Sequence, residues 1–153
     1  MEIKVDALQS VEIQRFLEEH LQDMKSVSPP ESKHALDLAG IRAPEVTFWS
    51  AYHLGQLVGC AALKQLDSAC GEIKSMRVAS TARGLGFGSL LLEHVIATAQ
   101  ARGYRQLKLE TGSMDFFEPA RQLYLKHGFS YCDAFAGYKP DPNSMFMQLH
   151  VAQ

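Results

Sequence analysis

Residues 83–89 read R-G-L-G-F-G-S, three glycines on alternate positions, and the residues after them carry the apolar spacing of a helix. Glycine weakens a helix start unless something must come close to the backbone there. Three readings are open. A glycine-rich turn with no ligand would give up stability without a local return. The other two place a phosphate against the stretch. Amide groups at a helix N-terminus, with the helix dipole behind them, attract anions, and missing side chains let the oxygens reach them.

A dinucleotide fingerprint is the first phosphate reading. A strand precedes the glycines, a helix follows, and Glu110 ends the next strand at about the 20-residue distance expected of a ribose-binding carboxylate. Three features oppose it. The glycines run G-x-G-x-G rather than G-x-G-x-x-G. A polar loop, S-T-A-R (80–83), separates strand from glycines. After Thr111 only roughly forty residues follow, too few for the remaining units of a doubly wound sheet.

The second phosphate reading takes Arg83 with the glycines as R-x-x-G-x-G, through Gly86 and Gly88. E-I-K-S-M-R-V (72–78) stands just before it, and A-R-Q-L-Y-L-K-H-G-F (120–129) lies downstream. Together these resemble three pieces of the GNAT acetyltransferase superfamily: the strand before the pyrophosphate loop, the loop itself, and the A-x-x-L-Y-x-K-x-G-F segment. The pieces occur in the family's order, and the resemblance spans roughly the whole chain. It implies an α/β (α+β) GNAT fold: a mixed, mostly antiparallel sheet of six or seven strands, helices on both faces, and the fourth and fifth strands splayed apart.

The bulk of the chain agrees with such a fold. The 153 residues suit one domain, 1–153, with a real core. With 46% hydrophobic and 21% charged residues the composition is that of a globular protein. Fifteen basic and 17 acidic side chains leave a net charge of −2 and no basic block, so a nucleic-acid footprint is missing. Apolar runs fall far short of a membrane span, and the N-terminus carries no secretion signal, so a cytoplasmic location is expected. Cys60, Cys70 and Cys132 lack CxxC spacing and read as buried free thiols. The six histidines show no HxH or HxxxH pairing, and no metal is expected.

The pattern predicts the order β-α-α-β-β-β-α-β-α-β-β. Ile3 and Val5 mark a short strand, and Ser10 caps a helix with Val11, Ile13, Phe16, Leu17, Leu21 and Met24 on one face. A turn at 26–32 leads to a helical piece over His34–Leu38, stopped by Gly40. Strands follow at 46–52 and 57–64 about a Leu54–Gly55 turn, then at 70–79. Helix 87–102 ends at Gly103, strand 106–111 follows, and Glu118–Pro119 opens a helix closed by His127–Gly128. Strands 129–133 and 145–151 finish the chain.

The resemblance implies acetyl transfer from acetyl-CoA to the amine of a small polar acceptor, by direct attack in a ternary complex. Backbone groups of Met76 and Val78 would pair with the pantetheine arm. Those from Gly84 through Leu85, Gly86, Phe87 and Gly88 to Ser89 would take the pyrophosphate, with Arg83 adding charge. Phe116 or Phe117 would lie against the arm. The Val78 N–H is a candidate oxyanion donor. Tyr124 matches the family's tyrosine that protonates the leaving thiolate. Glu72 shares parity with Lys74, Met76 and Val78 and is the candidate general base, although deprotonation through water needs none. Glu110 is a lesser candidate for the amine.

For the acceptor, Glu31 and His34 in the segment 24–37 are candidate contacts, with Arg42 and Asp115 near the mouth. The stretch S-P-P-E-S-x-H-A-L-D (28–37) is similar to that of small bacterial members described as indoleacetate acetyltransferases, although indoleacetate has no free amine. A non-catalytic acyl-CoA-binding module and an NAD-dependent oxidoreductase are the rival readings; Tyr124 and Glu72 together speak against the first. A homodimer pairing along 145–151 is the expected form of any self-association.

Overall fold

The computed structural model describes residues 1–27 and 38–151. Seven strands build one sheet: β1 (Glu2–Val5), β2 (Val46–His53), β3 (Gln56–Asp67), β4 (Cys70–Val78), β5 (Gln106–Gly112), β6 (Ser130–Cys132) and β7 (Ser144–His150). Their spatial order is β1-β2-β3-β4-β5-β7-β6. Helices α1 (Val11–Val27), α2 (Leu38–Ile41), α3 (Phe87–Ala101) and α4 (Glu118–Lys126) complete the expected order.

Local chemistry sets most boundaries. Ser10 Oγ accepts from the Ile13 amide at 3.1 Å and caps α1 as expected. Leu54 and Gly55 both take positive φ (52° and 78°), the conformation that tight hairpins between twisted strands require. Gly103 (φ 79°) ends α3, and Pro119 sits in the first turn of α4. Three boundaries differ most. Strand β3 is longer than 57–64 because it pairs along β4 as far as Asp67. Helix α2 runs through Gly40 to Ile41, whose buried side chain anchors it, and residues 34–37 of the expected piece lie outside those described. Strand β6 is only three residues long.

The sheet separates two cores. On one face α3 and α4 bury Leu91, Leu92, Val95 and Tyr124 against Ala61, Leu63, Ile73, Leu107, Leu109 and Met147. On the other, α1 and α2 bury Ile13, Phe16, Leu17 and Ile41 against Phe48, Cys60 and Ala62. Every neighbouring pair is antiparallel except β4 with β5, which run parallel. That pair is joined only from Cys70–Gln106 to Ile73–Leu109. Strand β4 continues to Val78 and β5 to Gly112 without further pairing between them, which is the expected splay. Strand β7 lies between β5 and β6, so over Phe146–Gln148 both its edges are taken. Pairing of a second copy along the middle of 145–151, as the sequence suggested, would have to displace β6.

Cys60 and Cys70 are buried free thiols, and Cys132 is only half-buried. Burial pushes the Cys60 thiol up to about 12, which removes it as a nucleophile.

Candidate active site

A bulge in β4 decides how the splayed gap is lined. Cys60 faces Arg77 and Ala62 faces Lys74, so Ser75 and Met76 together oppose Ala61. Ser75 takes φ 53°, and its carbonyl accepts from Cys60 Sγ at 3.1 Å. The extra residue reverses the facing of everything after it. Before the bulge, Ile73 faces α3 and Glu72 and Lys74 face away. After it, Met76 and Val78 pack on the α3 core. The shared parity of Glu72 with Met76 and Val78, expected from the sequence, is therefore broken, and the two sets lie on opposite faces.

On the α3 face a cavity of about 370 Å³ runs along the end of β4. Met76, Val78, Arg83, Gly84, Gly86, Phe87, Gly88 and Ser89 line it, with Phe116, Phe117, Leu123 and Tyr124 opposite. Leu85 is the one expected loop residue missing from this wall; its side chain is 64% exposed. Asp115 and Arg42 do not line it, and Arg42 instead donates to the Leu8 carbonyl at 2.7 Å. Glu31 and His34 lie outside the described residues.

The glycines divide their work. Gly84 and Gly86 have φ of 81° and 83°, and a Cβ on either would meet nothing within 4 Å, so the loop opens on free space. Gly88 is a packing position: its Cβ would come within 3.2 Å of Leu123 on α4. Helix α3 begins at Phe87 without a side-chain cap. Its first amides, with no carbonyl one turn back, stand at the loop, the kind of helix start to which anions are drawn. The Ala79 amide donates to the Val58 carbonyl at 2.7 Å. Antiparallel alternation then turns the Val78 N–H away from β3, toward the gap.

Tyr124 is buried, and desolvation raises its phenol well above the ordinary value. The helix that carries it is clamped at its start. Arg121, itself buried, donates to the carbonyls of Gly112 (2.6 Å) and Met114 (3.1 Å) and pairs with Glu118 at 2.6 Å. The end of β5 is thereby tied to the start of α4. From α1, His20 reaches the same cavity beside Arg77. Desolvation, helped by the Arg77 charge and partly offset by Asp23, pushes His20 down to about 4. Arg77 pairs with Asp23 at 2.9 Å and lies over the Phe16 ring.

The opposite face holds a second, shallower cavity of about 700 Å³ between β3, β4 and the loop after β6. Glu72 sits at its floor, 2% exposed. Tyr138 donates to Glu72 Oε2 at 2.6 Å, and Lys74 Nζ donates to Tyr138 at 2.8 Å and lies 3.3 Å from Glu72. The carboxylate raises the Tyr138 phenol, but burial does so first. Phe135, Tyr138 and Phe146 form an aromatic cluster beside it, with Lys108 over the Phe135 ring. Glu110, paired in register with Phe146, is close enough to act on Tyr138 electrostatically. Glu72 and Glu110 thus share one face, whereas Tyr124 and Val78 share the other. Tyr138 and Lys74 were missed in the sequence; only the Glu72–Lys74 alternation hinted at the second.

This architecture defines a class. Residues 13–129 match the acetyltransferase (GNAT) family model, and the chain belongs to that family. It is 52% identical to the uncharacterized N-acetyltransferase YsnE of Bacillus subtilis, over 96% of this chain and 97% of that one. It is 46% identical to the uncharacterized N-acetyltransferase YedL of Escherichia coli, over 99% and 95%. A protein of Azospirillum brasilense named IAA acetyltransferase is 39% identical over 88% and 87%. Among solved structures, a protein of Klebsiella pneumoniae described as an acyl-CoA N-acyltransferase superposes with a TM-score of 0.78, at 28% identity, covering 99% of this chain and 97% of that one. The chain is thus an acyltransferase of the N-acetyltransferase type, and the dinucleotide reading falls. Among the described residues no helix is long and apolar enough to cross a membrane, and no group of three or more candidate metal ligands occurs.

Proposed function

We propose that residues 1–153 form one N-acetyltransferase domain that moves an acetyl group from acetyl-CoA to the amine of a small polar acceptor, in a ternary complex. The observation that carries this reading is the unpaired stretch beyond Ile73 and Leu109, with an anion-ready loop on one side and a charged chamber on the other. Other proteins of this fold support the donor: one from Elizabethkingia anophelis is described with acetyl-CoA bound.

When bound, acetyl-CoA supplies an acyl carbon activated as a thioester. Backbone amides from Gly84 to Ser89, with Arg83 beside them, would hold the diphosphate, and the free edge of Met76 and Val78 would align the pantetheine arm. The Val78 N–H would meet the oxygen that gains charge during attack. The Tyr124 hydroxyl, kept protonated by its burial, would give its proton to the sulfur as the carbon–sulfur bond breaks. Glu72 or Glu110, on the far face, would receive the acceptor's ammonium and take its proton, directly or through water, because only the neutral amine has a lone pair to attack with.

Glu31 and His34 are proposed as further acceptor contacts. Free thiols fit a reducing, cytoplasmic setting. The test is release of free thiol from acetyl-CoA across a panel of amines. Amine-dependent release supports the reading; tight CoA binding with no release for any amine would favour a binding module.

A further inference from the structure

The second cavity contains more positive charge than its own carboxylates neutralise. Its charged lining is Lys64, Lys74, Lys139, Glu72 and Asp141. Buried Glu72 and half-buried Lys74 are matched to each other through a 3.3 Å contact and the Tyr138 hydroxyl. The Asp141 carboxylate is turned to its own loop, where it accepts from the Asn143 amide at 2.8 Å. Lys64 and Lys139 make no ion pair among the described residues. Register fixes one of them in place. Lys64 lies opposite Glu72 on β3, at the cavity's edge, while Lys139 stands across the mouth on the loop.

The geometry points to an acceptor that carries its own carboxylate beside the reacting amine, as an amino acid does, with Lys64 and Lys139 as its carboxylate site. This rests on the acyl-transfer reading above and names its substrate class. An ammonium would meet Glu110, the first residue of β5 beyond its last pairing with β4, and a monoanion at the rim matches a lining whose excess is a single positive charge. A phosphate dianion would overshoot that excess, and no described arginine lines this cavity to grip it as a fork. A polyamine would add cations beside Lys64 and Lys139, so the site repels it. Leu66, Pro140 and the Tyr138 ring, which packs on Phe135 and Phe146, give the lining an apolar part for a side chain of the acceptor.

The test compares free amino acids with their α-amides, which keep the amine and lose the charge. The expected result is kcat/KM at least about tenfold higher for the acid, a difference of about 1.4 kcal/mol in transition-state binding. In Lys64→Met and Lys139→Met the KM for the acid rises about tenfold and the acid-over-amide ratio falls toward one; a merely structural defect would lower both substrates together. Calorimetry with N-acetylated amino acids and their amides gives a readout independent of turnover. Binding of the acid forms that weakens in both variants supports the site even if transfer fails. Equal activity on acids and amides, or a preference for polyamines, overturns this inference and leaves acetyl transfer standing. Absence of thiol release for every amine overturns the acetyl-transfer reading instead. Absence of binding by N-acetylated acids overturns the carboxylate site.

Discussion

The two cavities differ in how they are built. The one beneath α3 is made of backbone: glycines at positive φ, bare amides at a helix start, and a strand edge left unpaired by its neighbour. The one on the far face is made of charged side chains, gathered from β3, β4 and a loop that arrives some sixty residues later. The first suits a cosubstrate whose diphosphate and amide-bearing arm are common to many enzymes. The second suits whatever this chain alone acts on. A backbone site tolerates change in side chains but not in glycines, and a side-chain site behaves in the opposite way.

The largest effect should come from the backbone site. Gly86→Asp forces φ 83° on a residue with a Cβ and sets a negative charge where the diphosphate is expected. Acetyl-CoA affinity should fall about a thousandfold, or about 4 kcal/mol, with the fold retained. Calorimetry with unchanged affinity would remove the phosphate from this loop. Next, Tyr124→Phe should lower kcat by about a hundredfold, inside the usual span for a general acid, with little change in the KM for acetyl-CoA. Unaltered kcat would make Tyr124 a core residue only.

The charged face gives smaller effects, spread over two readouts. Lys74→Met leaves Glu72 buried without its cation and should cost about 3 kcal/mol, lowering Tm by about 10 °C. A shift under two degrees would show that Tyr138 alone satisfies the carboxylate. Glu72→Gln should lower kcat/KM for the acceptor about tenfold while sparing the KM for acetyl-CoA. Loss of acetyl-CoA affinity in that variant would contradict the separation of the two faces.

A further effect concerns pH. His20 is held neutral, with its folded value near 4 and its unfolded value near 6.5. Its contribution is complete above the unfolded value and is lost as pH falls from about 6.5 to 4, because the unfolded chain then binds the proton first. Allowing for solvent screening, about 2 kcal/mol should disappear over that window. Denaturant titrations of His20→Asn should show a flatter profile there; an equal slope in both proteins would place the acid sensitivity elsewhere.

The difference between the cavities also explains what could be read beforehand. Gly84, Gly86 and Arg83 form a contiguous signature, so loop, helix start and splayed strand follow from residues within one window. Tyr124 is legible for the same reason, as part of a short segment. The facing of Glu72 was misjudged because a period of two assumes a regular strand, and the bulge at Ser75 and Met76 leaves no local mark in the letters. Tyr138 and Lys139 were read only as part of a proline-rich loop. Their meeting with Lys64 and Glu72 depends on where that loop folds back across the sheet, a long-range fact. Leu85 belongs to the loop through its backbone, and its side chain turns outward while its neighbours line the cavity.

One measurement addresses the central division directly: hydrogen–deuterium exchange of the whole chain with and without coenzyme A. Slowed exchange across 76–90, with the 134–143 loop unaffected, is the result this architecture predicts. Protection of 134–143 with no change at 84–89 would put the coenzyme on the charged face and reverse the assignment of both cavities.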